Sequence, residues 1–337
     1  MQQHWKRLAD GVELAAAQTD KFKTGLLSVT LTIPLSADTA TCGALIPEVL
    51  YRGNKNYPDM EKLSAATDAL YGASLNTGVR RRGESQCVSA LCGFIVDRYA
   101  LDGSAVLEPV AALAGEVLLN PDTRDGVFRG EYVESEGANL ADRIQAQMND
   151  KRGWAVIRLI QEMCAGEAFA VDKLGDAGEA RAMTPERLWA AYQSLLSSAK
   201  VTFYYGGSAP LERVEDVVRR CFAPLLTGRT APVDCQVVPE PQGPVRTVVD
   251  AMDVTQGKLA MGFRTGGITM GSGEFPALLV CNTLYGGSAN SKLFVNVREK
   301  MSLCYYASSM LDKIKGLMLV SSGVLWLEML ALFEGEE

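Results

Sequence analysis

"GALIPEVLYRG", residues 43–53, is an apolar run holding one proline and one carboxylate, and the fold turns on how it is read. Its spacing predicts a core helix with Ala44, Leu45, Val49 and Leu50 packed inside. Proline lacks an N–H, and the first turn of a helix needs none. Pro47 therefore places the start of this helix near Cys42 or Gly43.

The preceding stretch, "LLSVTLTIPL", alternates in polarity and predicts a strand. After it, "YPDMEKLSAATDALYG" has Pro58 at its start and Gly72 at its end, the punctuation of a helix. "ASLNTGVRR" and "SQCVSALCGF" predict paired strands, with the basic run "GVRRRGE" at the hairpin tip, facing solvent or a partner's acidic surface. "AVLEPVAALAGEVLLN" predicts a helix carrying Pro109 in its first turns. Further helices are expected from near Asp125 through "GEYVESEGANLADRIQAQMND", over "GWAVIRLIQEMC" and over "MTPERLWAAYQSLLSS". The strand "KVTFYYGG" and the helix "PLERVEDVVRRCFAPLL" complete an α+β unit, a sheet with helices on one face.

Residues 227–245 hold four prolines and read as a linker between a domain over 1–226 and a second over 246–337. The second segment restarts with strands "RTVVDAMDV" and "GKLAMGFRTG". Helices follow over "GEFPALLVCNTLYGG" and "NSKLFVNVREKM", then strands "SLCYYASSM" and "GLMLVSSGV". The order echoes the first segment, as "LYGGSA" at 284–289 echoes "LYGASL" at 70–75, so duplication is expected. The second copy is shorter. "LWLEMLALFEGEE", from Leu325 on, leaves its sheet without closing helices, and the exposed apolar area predicts self-association.

Composition narrows the function. Apolar residues make up 47% and charged residues 22%, a globular balance. A formal charge of −7 argues against a general nucleic-acid or anionic-membrane surface. No stretch is long and apolar enough to span a bilayer, and no secretory leader is read at the start, so a cytoplasmic location is expected. The eight cysteines are scattered without CxxC spacing, which predicts reduced, mostly buried thiols and no structural zinc. His4, the single histidine, lies in a terminus expected to be mobile. The glycines of "YYGGSAP" and "LYGGSANSKLF" lack the rest of a phosphate loop, and Gly286 and Gly287 are expected to permit a turn between helices.

Several stretches together resemble one family: "ALIPEVLYRGNKNYP", "LNTGVRRRG", "QAQMNDKRGWA", "MTPERLWAAYQSLL", "NSKLFVNVREKMSLCYYASS" and "KGLMLVSSG". The chain is similar to the M16 (pitrilysin-like) peptidases, whose zinc motif is an inverted HxxEH. The resemblance is nearest to a catalytically inactive bacterial branch associated with 5-aminopentanol modification of elongation factor P. It implies duplicated α+β domains of LuxS/mitochondrial-processing-peptidase type, each an antiparallel-rich mixed sheet with helices on one face, the second truncated here.

Active members read H-F-L-E-H-M-L-F-K-G where this chain reads A-L-I-P-E-V-L-Y-R-G. By the resemblance the first zinc histidine falls on Ala44, the glutamate base on Pro47 and the second histidine on Glu48; the third ligand, a glutamate, falls on Arg143. Ala44 has no donor atom, Pro47 takes no proton from water, and one carboxylate does not make a zinc site. Arg143, pointing inward, would repel a cation and pair with Glu48 instead. No metal, cofactor or hydrolysis is expected here.

The resemblance also places an arginine and a tyrosine that face the substrate chain on Arg298 and Tyr305. They either contact a peptide or are structural, Arg298 closing its helix and Tyr305 packing on the sheet. The expected role is a non-catalytic subunit that pairs with a zinc-bearing M16 paralogue around a peptide chamber. Two alternatives stand beside it: an interaction protein in elongation factor P modification, and a hydrolase using residues other than histidine.

Overall fold

In the computed structural model, which describes residues 2–227, 235–241 and 243–324, the chain opens with a hairpin of β1 (Gln2–Ala9) and β2 (Val12–Gln18). Contacts group the chain into two units, Met1–Ile144 with Val171–Val233, and Gln145–Ala170 with Asp234–Glu337. The grouping does not follow chain order, since residues 145–170 belong with the second unit.

The first unit is built on a six-stranded sheet. To the opening hairpin it adds β3 (Thr24–Pro34), β4 (Ser74–Arg82), β5 (Ser85–Ile95) and β8 (Lys200–Gly207), in the order β1-β2-β8-β3-β5-β4. β2 and β8 run parallel; the other neighbours are antiparallel. Register follows the period-2 pattern. Leu27, Val29 and Leu31 of β3 lie opposite Cys92, Ala90 and Val88 on one side and Tyr205, Phe203 and Val201 on the other. All nine are buried in one core, while Ser28, Thr30 and Thr32 turn to the opposite face.

The helices of this unit are α1 (Ala37–Tyr51), α2 (Met60–Ala69), α3 (Leu107–Leu119), α4 (Gly130–Ala146), α6 (Ala177–Arg181), α7 (Pro185–Ser198) and α8 (Leu211–Cys221). Apolar residues of α1, α3, α7 and α8 join the same core as the inward strand residues, so these helices cover one face of the sheet.

Three expectations are corrected in this unit. His4 sits in the ordered outer strand β1, opposite Ala16, because backbone pairing holds the terminus. α1 begins at Ala37, not near Gly43, so Pro47 is interior and Gly43 loses the donor its carbonyl would receive from residue 47. An interior proline costs roughly 3 kcal/mol. Every residue from Ala40 to Pro47 is buried, and that packing holds the helix together. Neighbouring side chains also bond its backbone: the Thr77 hydroxyl donates to Pro47 O at 3.0 Å, and Gln86 Nε2 to Ala40 O at 2.8 Å. The third correction is α4, which starts at Gly130 and not near Asp125. Residues 123–128 form a small ribbon, β6 (Thr123–Arg124) and β7 (Val127–Phe128), turned by Asp125 and Gly126 at φ of 54° and 82°. The opening hairpin also belongs to the sheet, an extension that no sequence pattern announces.

The second unit has α5 (Lys151–Met163), α9 (Phe275–Asn282), and a three-stranded antiparallel sheet of β9 (Gly257–Arg264), β10 (Cys304–Asp312) and β11 (Leu317–Val324), ordered β10-β11-β9. Ile160, Cys164 and Phe169 pack on Leu317 and Leu319. Beside this core lies a buried charge cluster. Glu167 Oε2 is 2.5 Å from Lys315 Nζ, and Glu167 Oε1 accepts from Arg264 Nη2. Lys315 also donates to Gln236 O at 2.5 Å, and Arg264 to Met163 O at 3.1 Å and Val238 O at 3.4 Å.

Two expectations change here. Residues 246–254 form no strand; Arg246 pairs with Glu162 and Asp250 with Arg158, so side-chain charges hold this segment against α5. Gly286 serves close packing rather than a turn between helices. It lies in the π-helical segment Thr283–Gly287, and a Cβ there would come within 2.6 Å of Ser309 N on β10. The tail "LWLEMLALFEGEE" and part of the 227–245 stretch lie outside the described residues.

Among the described residues all cysteines are free, with Cys42, Cys87, Cys92, Cys164 and Cys304 buried, as their scatter predicts. No helix among them is long and apolar enough to cross a membrane.

Candidate functional site

The four positions singled out on α1 and α4 differ sharply in surroundings. Ala44 is fully buried in the main core, and Pro47 is buried beside it. Glu48 turns outward enough for its carboxylate to meet α4. Its Oε1 accepts from Arg143 Nη1 at 2.9 Å, so the expected pair forms, although with Arg143 exposed rather than turned inward. One helical turn on, Arg52 Nη1 donates to Glu136 Oε1 at 3.1 Å, and the other oxygen of Glu136 accepts from Asn139 Nδ2 at 3.1 Å. Arg52 also lies over the Tyr132 ring, 5.3 Å from its centroid.

α1 and α4 are thus joined by two crossed ion pairs, Glu48–Arg143 and Arg52–Glu136. Each helix contributes one acid and one base, and the helical period puts both on its facing side: Glu48 and Arg52 are four apart, Glu136 and Arg143 seven apart. No motif singles out Arg52 or its bond to Glu136, although its four-residue spacing from Glu48 places the two side chains on one helix face.

This donor set does not fit a zinc ion. Zinc needs three or four nitrogen, sulfur or oxygen ligands in tetrahedral array. Ala44 and Pro47 offer none from their side chains, and the carboxylate of Glu48 already faces a guanidinium. His4 is on β1, the outer strand of the sheet. Among the described residues no group of three or more histidines, cysteines or acids is placed to hold a metal ion.

The Glu48–Arg143 pair is partly exposed, with Glu48 about a quarter and Arg143 nearly half accessible, so it contributes modestly. A double-mutant cycle with Glu48→Ala and Arg143→Ala is expected to give a coupling of about 0.5–1 kcal/mol in denaturant unfolding, shrinking as salt rises. A coupling of zero at low salt would remove the pair from any structural role.

In the second unit, Arg298 lies on the π-helical segment Phe294–Lys300. Its guanidinium sits 4.5 Å from the Phe294 ring centroid, and its Nε is 3.6 Å from Glu299 Oε1. Tyr305, on β10, is 75% exposed, so its ring does not pack on the sheet as the structural alternative requires. Its neighbour Tyr306 is the residue engaged: the Arg152 guanidinium lies 4.1 Å from that ring's centroid and donates to Ser308 Oγ at 3.1 Å. Neither Arg152 nor Tyr306 is singled out by sequence pattern.

Comparison with known proteins follows the same lines. A family profile described as "Peptidase M16 inactive domain" matches residues 182–333. The chain is 35% identical over 314 residues to the probable inactive metalloprotease YmfF of Bacillus subtilis (strain 168), covering 93% of this chain and 73% of that one. A conserved protein from Enterococcus faecalis V583 superposes with a TM-score of 0.84 at 28% identity, over 96% of this chain and 75% of the other. A peptidase M16 inactive domain from Pseudomonas fluorescens superposes at 0.80 with 16% identity, over 99% and 77% of the two chains, a likeness of fold.

Proposed function

Because the chain belongs to the M16 peptidase family, as an inactive metallopeptidase homologue, we propose that it is a non-catalytic subunit that pairs with a zinc-bearing paralogue in the cytoplasm and helps wall its peptide chamber. One observation carries the reading: Glu48 is held by the Arg143 guanidinium, so a fixed protein cation joins the helices that hold the degenerate motif. In this reading Ala44, Pro47, Glu48 and Arg143 are the former zinc-site positions, kept for packing and charge balance. Arg298 and the exposed ring of Tyr305 contact the peptide. An arginine fork suits a carbonyl or carboxylate, and a tyrosine adds a ring and one hydroxyl. The reading takes 1–226 and 246–337 as the two related domains joined by 227–245.

The test is to purify the chain with and without a zinc-bearing M16 paralogue from the same cell. Three results are expected: a stable complex, peptide cleavage by the mixture only, and well under one zinc per chain in the protein alone. Cleavage by this chain alone, surviving a chelator, would overturn the proposal in favour of a hydrolase built on other residues. Binding to elongation factor P with no binding to the paralogue would replace it with a role in that factor's modification.

A further inference from the structure

The basic run at the end of β4 takes no part in the site above. β4 is an outer strand of its sheet, bonded only to β5. Strand alternation puts Asn76, Gly78, Arg80 and Arg82 on one face, a strip about 20 Å long at ~3.3 Å per residue. Their partners across β5 are Leu91, Ser89, Cys87 and Ser85, all uncharged. Arg80 and Arg82 are exposed and have no carboxylate partner among the described residues. Arg81, on the other face, and Glu84, in the turn, are each engaged. Elsewhere in this unit Arg52, Arg143, Arg187 and Arg213 all meet carboxylates. The strip is also open: a Cβ placed on Gly78 would meet nothing within 4 Å.

Charged side chains on an outer strand also discourage sheets from joining edge to edge. That role does not require two unpaired guanidiniums on one face beside open space. We propose that the polar face of β4 binds an extended, carboxylate-rich segment of a partner protein, with Arg80 and Arg82 as forked donors to its carboxylates. Guanidinium suits this by its planar, paired N–H geometry. In a chain of net charge −7, a local positive strip also directs where an acidic segment lands. The assignment is independent of the pairing proposed above, since the ligand is a class of segment and the probe is not the zinc-bearing paralogue.

A fluorescent peptide of eight glutamates serves as the probe, titrated into the full chain at low and moderate salt. It is expected to bind, to weaken as salt rises, and to lose at least tenfold in affinity in the Arg80→Ala/Arg82→Ala variant. The Arg80→Lys/Arg82→Lys variant is expected to recover part of that loss. Arg124→Ala, at an exposed arginine on β6, is expected to bind like the parent. Circular dichroism and melting of each variant show whether the fold is kept. Unchanged affinity in a folded double alanine variant overturns the proposal, as does an equal loss in Arg124→Ala. Equally tight binding of a short single-stranded RNA, lost in the same double variant, also overturns it, because the strip would then be a general anion surface.

Discussion

Glu167→Ala is expected to lower the unfolding free energy by about 3–5 kcal/mol, the usual cost of stranding buried charge. Glu167 stands between Arg264 and Lys315, whose side chains are 3% and 0% accessible. Removing the carboxylate leaves two cations in a space that water does not reach. It also frees the two side chains whose other bonds hold the carbonyls of Gln236, Val238 and Met163. Lys315→Met leaves the Arg264–Glu167 pair in balance and is expected to cost less than Glu167→Ala. Equilibrium denaturation, read by a probe in the second unit, measures both. If Lys315→Met proved the more damaging, charge balance would not be what holds the cluster.

The same residue makes stability depend on acid. Burial alone raises the Glu167 carboxyl, but the bonds from Arg264 and Lys315 outweigh it and hold the group below the usual glutamate range. A depressed carboxyl contributes stability above its unfolded value, near pH 4.3, and loses it as pH falls through the folded value. The parent protein should therefore lose stability through this acid range more steeply than Glu167→Ala, which has no proton to take up there.

The second large effect belongs to Gly175→Ala. Gly175 has φ of +78°, and a Cβ there would lie 2.1 Å from Thr41 Oγ1, 2.5 Å from Thr41 N and 2.6 Å from Thr41 Cα. Two of these atoms are backbone, and Thr41 is buried in α1, where its hydroxyl donates to Glu179 Oε2 at 2.9 Å and accepts from Asp176 N at 3.1 Å. The left-handed backbone costs alanine about 1–2 kcal/mol, and overpacking adds about 1–3 kcal/mol. A loss of about 2–5 kcal/mol lowers the melting temperature by roughly 4–20 °C at the size of this unit. Gly72→Ala separates the two contributions: Gly72 has φ of +67° and nothing within 4 Å of its Cβ position, so only the backbone cost applies. Equal losses for the two variants would contradict the overlap at Thr41.

Much of the first unit is legible in local pattern. β3, β4, β5 and β8 alternate with period 2, and α2, α3, α7 and α8 carry their own start and stop residues or apolar spacing. The loss of zinc chemistry is equally local, because Ala44 and Pro47 lack the atoms for it wherever they sit. Pattern failed where a distant contact overrode a local preference. Pro47 marked a helix start on its own terms, yet ten buried residues and two borrowed hydrogen bonds carry α1 through it. The run at 246–254 has the pattern of a strand, but ion pairs to α5 claim it.

Residue identity and period are properties of neighbours in the chain, so they fix which stretches are helix or strand and which chemistry is missing. Arg143 meets Glu48 across 95 residues, and Arg264 meets Glu167 across 97. Which charge neutralises which is decided only when packing closes loops of that length, because the energy of an ion pair depends on separation in space and on the exclusion of water. Folding put a guanidinium against the one carboxylate left in the degenerate motif, a pair that the family resemblance implies and no local signal does.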